Sequence, residues 1–226
     1  MIVLPRLYPI LDAGCFPDAL GLITAAEELA SAGVTLIQYR NKAGNARTML
    51  EQARELKKRL LDIESQNPHV SQKMRDMGHP NVDYSIRLIM NDRADLCLIA
   101  EFDGVHVGQD DLSPPSVRGI IGRDRWLGVS THNPAQIEEA DRTSADYLAI
   151  GPVFSTSSKE NPDPVVGLEG VRRARLLTRK PLVAIGGITR ANAASVIEAG
   201  ADSVAVISDL LREPRKSAEE FFRVLR

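Results

Sequence analysis

Residues 86–111 read IRLIMNDRADLCLIAEFDGVHVGQDD and predict one strand–helix–strand unit. The apolar runs near both ends have the length of buried strands, and the segment between them has the length and composition of a short helix. A polar cluster that contains an aspartate, Asp92 or Asp111, follows each strand. Because two strands joined by a helical crossover run parallel, both aspartates are expected at the same edge of the sheet.

The same alternation extends over the whole chain. We predict strands at residues 7–11, 36–40, 86–90, 104–107, 126–129, 147–150, 182–185 and 203–206. We predict helices at residues 24–32, 46–61, 93–100, 115–121, 134–140, 168–177, 191–199 and 217–225. Eight such units in 226 residues predict an α/β fold, a single-domain (β/α)8 TIM barrel. A doubly wound open sheet is the alternative, although it usually has fewer units and a glycine-rich turn after its first strand.

Individual residues mark several helix ends. Asn133, which precedes Pro134, and Thr189 are predicted to cap the helices that follow them. Gly33 and Gly200 stand just past predicted helix ends, where a left-handed residue is common.

Residues 62–85 interrupt the alternation because they are polar and contain Pro68, Gly78 and Pro80. They join the second helix to the third strand, which places them on the side of the barrel opposite the catalytic rim. We interpret them as a peripheral extension that begins as additional helix. Nothing in their composition requires a partner-binding role.

Composition and charge exclude several classes of protein. The chain is 43% hydrophobic with a net charge of −2, which suits one globular domain and argues against non-specific nucleic-acid binding. It has no apolar run long enough to span a bilayer and no signal-peptide layout, so we expect a cytoplasmic protein without a membrane partner. Cys15 and Cys97 are isolated, as is typical of reduced thiols. A homo-oligomer is compatible with the sequence, which does not fix the oligomeric state.

Asp92 and Asp111 predict a metal site. Hard oxygen ligands from neighbouring strand ends suit Mg²⁺, which prefers one or two protein carboxylates together with substrate phosphates. The simpler alternative is that Asp92 caps the next helix and Asp111 lies in a turn. Two such aspartates at matching strand ends, with cations after other strands, favour a metal–phosphate site.

The second strand ends in Gln38, Arg40 and Lys42, which alternation places on one face. Two cations and an amide suit a diphosphate attached to a polar heterocycle, although a solvated strand end has the same pattern. The loop at residues 151–159 is rich in hydroxyl groups and ends in Lys159, so it offers donors to a phosphate or closes as a lid, unless it is an ordinary surface loop.

Gly186-Gly187 and Ser208 follow the last two strands, where barrel enzymes often bind a phosphate through backbone N–H groups. A tight turn without a ligand is the alternative for the glycines. His132, after the fifth strand, is either a base or a residue that packs beside the next helix. We expect His106, inside a strand, to be a satisfied interior histidine.

Taken together, these motifs resemble the thiamine phosphate synthase family over nearly the whole chain. They are Gln-x-Arg-x-Lys at residues 38–42, Asn91-Asp92, His-x-Gly-Gln-x-Asp at residues 106–111, Gly-x-Ser-x-His at residues 128–132, Gly-Pro-x-Phe at residues 151–154 with Thr156, Ser158 and Lys159, Gly-Gly-Ile at residues 186–188, and Ile207-Ser208. Enzymes of that family join an aminopyrimidine methyl diphosphate to a thiazole phosphate and release pyrophosphate.

The resemblance implies a role for each matching residue. The pyrimidine would be held by Gln38. The diphosphate would be held by Arg40, Lys42, Asn91, Ser130 and Lys159, of which all but Asn91 are expected to take part in catalysis. Mg²⁺ would be bound by Asp92 and Asp111. The thiazole phosphate would be held by Thr156, Ser158, the backbone of Gly187 and the amides of Ile207 and Ser208.

The implied mechanism is dissociative and needs no protein nucleophile or base. Departures from the family are Ser155 where proline is usual, Ser158 where threonine is usual, and the long segment at residues 62–85. Two other functions remain open at this point. One is the related thiazole tautomerase, which has a histidine at the position of His132 and needs neither metal nor diphosphate. The other is a non-catalytic sensor of phosphate ligands, which the retained charged residues argue against.

Overall fold

A computed structural model describes residues 2–66, 85–156 and 163–226. Eight parallel strands form a closed barrel in chain order, and the last strand pairs with the first. The strands are β1 (Leu7–Asp12), β2 (Leu36–Arg40), β3 (Arg87–Asn91), β4 (Gly104–Val107), β5 (Trp126–Thr131), β6 (Tyr147–Ile150), β7 (Leu182–Ile185) and β8 (Ser203–Val206). The predicted (β/α)8 barrel is confirmed, and closure of the sheet excludes the doubly wound alternative.

Helices surround the barrel. Those in the described ranges are α1 (Ala19–Ser31), α2 (Ala46–Gln66), α3 (Ala94–Ile99), α4 (Pro114–Ile121), α5 (Pro134–Asp141), α6 (Gly167–Leu177), α7 (Ala193–Glu198), α8 (Ser208–Leu211) and α9 (Pro214–Val224), with a 3-10 turn at Ala13–Cys15. Helix α8 was not predicted. None of these helices is both long and apolar enough to cross a bilayer.

Capping explains where the predicted helix ends are right and wrong. Asn133 caps α5 as predicted, because its side chain accepts from the N–H of Gln136. The prediction for Thr189 is wrong: α7 begins only at Ala193, whose N–H donates to the backbone carbonyl of Thr189. Helix α1 begins five residues earlier than predicted because Asp18 caps it.

The glycines past helix ends and the extension follow the predictions as far as the described residues reach. Gly33 and Gly200 have φ angles of 97° and 111°, the left-handed region expected after a helix. Helix α2 continues past the predicted end at residue 61 to Gln66, so the extension begins as helix. Residues 67–84 lie outside the described residues, and the rest of that prediction stays a prediction.

Apolar side chains fill two separate layers. One cluster fills the barrel interior and includes Leu36, Ile89 and Val183. The other lies between the strands and the helices and includes Leu29 and Leu56, both fully buried. Strands covered on both faces must be apolar on both faces, which is why they read as continuous apolar runs in the sequence.

The N-terminal end of the barrel is closed by a repeated contact. An aspartate stands directly before each of β4, β6 and β8, and its Oδ2 accepts from a backbone N–H of the preceding strand at 2.8 Å. The donor–acceptor pairs are Leu88 with Asp103, Leu127 with Asp146, and Leu182 with Asp202. These bonds hold adjacent strands in register at the end opposite the polar rim.

Candidate active site

The two predicted metal ligands meet at the C-terminal rim. Asp92 directly follows β3 and has a φ of 60°, a left-handed conformation that few non-glycine residues adopt. It does not cap α3, because the residue at the cap position is Arg93, which makes no side-chain capping bond. Its Oδ2 instead accepts from Nζ of Lys42. The capping alternative for Asp92 is therefore wrong.

Asp111 does lie in a turn, since its Oδ2 accepts from the N–H of Gly108 at 2.8 Å. It is also a neighbour of Asp92. Burial raises the pKa of Asp92, the Lys42 ammonium opposes that change, and the nearby Asp111 carboxyl raises the pKa further. Two neighbouring carboxylates beside the Lys42 ammonium are thus found where the sequence predicted a metal site.

This pair of carboxylates fits Mg²⁺. No cluster of three or more metal-ligating side chains occurs within the described ranges, so the protein offers two carboxylates here and no complete cage. Mg²⁺ usually takes one or two carboxylates and keeps its remaining positions for water and substrate phosphate.

Strand β2 brings the predicted amide and cations to the same rim. Tyr39 and Asn41 face away from the barrel axis, where both bond the side chain of Gln52 on α2. The alternate residues therefore face the site, as predicted, and Arg40 donates to Oδ2 of Asp12. Asp12 pairs with Arg40 in the β1–β2 register, and nothing in the isolated β1 sequence indicated this contact.

Beneath the rim, a chain of hydrogen bonds crosses the barrel interior. Gln38 donates from Nε2 to the hydroxyl of Tyr8 at 3.0 Å, and the hydroxyls of Tyr8 and Tyr147 are 2.9 Å apart. His106 Nδ1 is 3.1 Å from the Tyr147 hydroxyl, and its Nε2 is 2.8 Å from Oγ of Ser130. Five strands thus contribute one polar side chain each to this series of hydrogen bonds. Its two ends are the predicted site residues Gln38 and Ser130.

His106 is the satisfied interior histidine that we expected. Both ring nitrogens are bonded, and burial lowers its pKa to about 4, although the Asp111 charge opposes this change. Burial also raises the pKa of Tyr8 and of Tyr147. Neither tyrosine was predicted to be functional, because the strands that contain them are otherwise apolar. The sequence indicated only that each strand places a tyrosine on its inward face. Gly128 lacks a side chain and leaves room for the Tyr147 ring.

Asn91 is the last residue of β3 and is paired with His106 in the β3–β4 register. It is 9% exposed, and the next N–H, that of Asp92, donates to the His106 carbonyl at 2.8 Å. The predicted diphosphate residue Asn91 therefore stands beside the predicted metal ligand.

The loops after β6 and β7 pack together. Val153 and Phe154 donate their N–H groups to the carbonyls of Ile185 and Gly186, which brings Ser155, the residue before Thr156, against Gly187. A Cβ on Gly187, whose φ is 62°, would lie 2.5 Å from the Ser155 carbonyl oxygen. This contact between the loops is enough to explain why residue 187 is a glycine. The alternative of a tight turn without a ligand therefore accounts for Gly187 without any bound phosphate. Ser158 and Lys159 lie outside the described residues.

Ile207 connects β8 to α8 at the same rim, and Ser208 is the first residue of α8. His132, in contrast, is directed elsewhere. It donates from Nδ1 to the Gly151 carbonyl at 2.6 Å, and its Nε2 is 3.5 Å from Asp163 Oδ2. Its backbone N–H donates to the side chain of Gln136 on α5 at 2.7 Å, so His132 lies beside that helix, and its role as a base stays untested.

Comparison with known proteins agrees with this geometry. The model of the family described as thiamine monophosphate synthase matches residues 7–210. A thiamine-phosphate synthase of Koribacter versatilis is 55% identical over 225 residues, which cover 98% of this chain and 96% of that protein. One of Chloroflexus aurantiacus is 41% identical over 203 residues, covering 90% of this chain and 83% of the relative.

Solved structures give the same result. A thiamine phosphate pyrophosphorylase from Pyrococcus furiosus superposes with a TM-score of 0.78 at 27% identity, covering 97% of this chain and 95% of that one. A 3-hexulose-6-phosphate synthase, at 16% identity and a TM-score of 0.64, covers 98% of this chain and all of that chain, and shares the fold alone. The match of the family model and the identity to the two curated relatives decide the assignment: the chain belongs to the thiamine monophosphate synthase family.

Proposed function

We propose that this enzyme condenses 4-amino-2-methyl-5-(diphosphooxymethyl)pyrimidine with 4-methyl-5-(2-phosphoethyl)thiazole to give thiamine phosphate and pyrophosphate. The observation that carries the proposal is the meeting of Lys42, Asp92 and Asp111 at one rim, beside Arg40 and Asn91. Cations and a paired carboxylate site are what a diphosphate leaving group needs. Family membership supplies the reaction class, a transferase of thiamine biosynthesis.

The reaction exchanges one bond for another. The C–O bond between the pyrimidine methylene carbon and the diphosphate breaks, and both electrons leave with pyrophosphate. The 4-amino group stabilises the resulting methylene cation. The thiazole nitrogen then donates its lone pair to that carbon, so that no protein nucleophile or base is consumed.

The residues of the chain orient the substrates and stabilise the leaving charge. Gln38, held by Tyr8, is suited to orient the pyrimidine through its amide. Arg40 and Lys42 exchange their carboxylate partners for diphosphate oxygens, and Lys159 adds a third cation. Asn91 and Ser130 donate further hydrogen bonds to the diphosphate. The buried neutral His106 keeps the Ser130 hydroxyl in place without adding charge.

Asp92 and Asp111 would hold Mg²⁺, which neutralises developing negative charge on pyrophosphate when it is bound. The thiazole phosphate would be held by Thr156 and Ser158 together with the backbone of Gly187, Ile207 and Ser208. Closely packed loops after β6 and β7 support this place for the phosphate, because they bring Thr156 and Gly187 to one side of the rim.

One assay separates this proposal from its competitors. The protein is incubated with both substrates, with and without Mg²⁺, and thiamine phosphate and pyrophosphate are quantified. We expect both products in equal amounts, only when the metal is present. Isomerisation of the thiazole without condensation would indicate the tautomerase, and binding without any turnover would indicate a sensor. The charged residues Asp92, Asp111, Arg40, Lys42 and Lys159 argue against a tautomerase, which needs neither metal nor diphosphate.

A further inference from the structure

Arg190 connects the loop after β7 to the loop after β8. Its backbone N–H and its Nε both donate to Oδ2 of Asp209, at 2.9 Å and 3.0 Å, and its Nη2 donates to Oδ1 of the same carboxylate at 3.0 Å. Two guanidinium bonds to one carboxylate form a bidentate pair, which fixes orientation as well as distance.

A second carboxylate anchors this pair to the C-terminal helix. Nη1 of Arg190 donates to Oε2 of Glu220 on α9, whose Phe221 is fully buried. The carboxylates hold the pKa of Arg190 above its ordinary value, Asp209 more than Glu220. Burial raises the pKa of Asp209, but the bonds from Arg190 outweigh it and the pKa is lowered overall. Arg190 is therefore held between a short rim helix and a helix packed into the protein core.

Asn192 connects the Gly187 backbone to the residues beside Arg190. Asn192 accepts at Oδ1 from the N–H of Thr189 at 2.8 Å and donates from Nδ2 to the Gly187 carbonyl at 3.1 Å. Asn192 thus ties the Gly187 end of the loop to Thr189, the residue directly before Arg190. Asp209 immediately follows Ser208, so the partner of Arg190 is equally close to the other loop.

We propose that Arg190 and Asp209 act as a clamp of positioning residues that sets the separation between the Gly187 backbone and the Ile207–Ser208 backbone, and thereby the affinity for the phosphomonoester of the thiazole substrate. The inference rests on the proposed function, which places that phosphate between the two loops. Neither residue touches the reacting atoms, so both act through the backbone that they hold. A phosphate held from two loops loses affinity when the loops separate, because each lengthened hydrogen bond to the phosphate loses part of its free energy.

The other end of β8 offers a matched control. Arg175 donates from Nη1 to Oδ2 of Asp202 at 2.9 Å, so the same residue types form a comparable ion pair there. Asp202 precedes β8 whereas Asp209 follows it, and no proposed substrate contact lies near Asp202. Arg175→Ala removes this pair together with the bonds from Nη2 to the carbonyls of Thr178 and Lys180. It therefore tests whether the loss of a structural arginine far from the rim alters substrate affinity through stability.

The experiment measures KM for each substrate and kcat in wild type, Arg190→Ala, Asp209→Asn, the double variant and Arg175→Ala. We expect KM for the thiazole phosphate to rise about tenfold in both single variants of the clamp, which corresponds to about 1.4 kcal/mol, the size of one weakened hydrogen bond to a charged group. KM for the pyrimidine diphosphate and kcat should stay within about twofold, since the diphosphate residues lie on β2 and β3. The double variant should be no worse than the singles, because both remove the same clamp.

The possible results are distinguishable. Wild type without thiamine phosphate formation overturns the proposed function and this inference with it. If wild type is active but the clamp variants keep the wild-type KM for the thiazole phosphate, the inference alone is overturned. The same holds if KM rises equally for both substrates in the clamp variants, or if Arg175→Ala raises KM for the thiazole phosphate as much as they do. Asp209→Asn keeps one acceptor oxygen for the Arg190 N–H, so it guards against a folding failure of the alanine variant.

Discussion

At the N-terminal end of the barrel, Asp103, Asp146 and Asp202 accept hydrogen bonds from backbone N–H groups, whereas at the C-terminal rim Asp12 and Asp92 accept from the side chains of Arg40 and Lys42. A backbone N–H is fixed in place by the fold, so it cannot exchange its aspartate for another acceptor. A side-chain cation can exchange its carboxylate for a more highly charged diphosphate. Backbone and side-chain donors occur at both ends, since Asp146 and Asp202 also bond an arginine and Asp12 also accepts from the Gly14 N–H. The difference is that each aspartate at the N-terminal end bonds the backbone of the preceding strand, whereas the contacts of Asp12 and Asp92 with Arg40 and Lys42 join side chains at the rim.

The largest effect should come from removing charge at the rim. In Asp92→Asn and Asp111→Asn, we expect turnover with Mg²⁺ to fall about a hundredfold or more, because a metal that stabilises leaving-group charge contributes several kcal/mol to the barrier. Asparagine tolerates the left-handed backbone of Asp92, so melting temperatures should change little. Steady-state assays at several Mg²⁺ concentrations and thermal melts check both expectations. Wild-type turnover in both variants would remove the metal assignment.

The second prediction concerns His106, whose pKa is lowered from 6.5 to about 4. The folded protein then stays neutral at His106 between these values, while the unfolded chain takes up a proton, so acidification favours unfolding. Stability from this source is complete above about pH 6.5 and falls by about 3 kcal/mol as the pH drops to about 4.

Denaturant unfolding of wild type and His106→Asn at several pH values isolates this contribution, because other groups titrate in both proteins. We expect the variant to be less stable at pH 7.5 but less sensitive to acid. Identical pH dependence in the two proteins would show that burial does not keep His106 neutral. Activity between pH 7 and 9 should not report a His106 titration, since the ring is already neutral there.

At the N-terminal end of the barrel, we expect a substitution to lower the stability of the protein without changing its kinetic constants. Asp146 accepts from the Leu127 N–H at 2.8 Å and from Arg118 at 2.6 Å. Asp146→Ala leaves a strand N–H without its partner and should lower the free energy of unfolding by about 1–3 kcal/mol. Both KM values should be unchanged in protein that is folded.

Glu169→Ala is the control for Asp146→Ala, because its ion pair with Arg173 is exposed and lies within one helix. Such pairs contribute at most about 0.5 kcal/mol. If Asp146→Ala altered either KM while the free energy of unfolding stayed constant, the division of roles between the two ends would be wrong.

The sequence predicted the strands better than the contacts between them. The spacing of apolar residues and the length of each apolar run indicate strands such as β4 and β7, whose predicted bounds agree with the structure. Strand order then follows from the chain, since each parallel strand needs a crossover. Rim residues were predictable because polar clusters follow apolar runs, and parallel strands deliver these clusters to one edge.

Contacts between distant strands were not predictable from local pattern. Tyr8 and Tyr147 are 139 positions apart, and only barrel closure brings their hydroxyls together. The pairing of Asp12 with Arg40 depends on the β1–β2 register, which the isolated strand sequences do not specify. Helix α8 and the clamp beside it were missed because four residues carry too little periodicity to mark a helix.

The smallest effect is expected in the extension at residues 62–85. It leaves the barrel at the end of α2 and returns before Arg87, the first residue of β3, at the end opposite the rim. Replacing residues 67–80 with a short Gly/Ser linker should therefore leave kcat/KM for both substrates within a few-fold of wild type, with a small loss of thermal stability. Steady-state kinetics and melting curves of the shortened protein measure both. A variant that still melts cooperatively but has lost most of its activity would show that this segment reaches a site, either its own or that of a neighbouring copy.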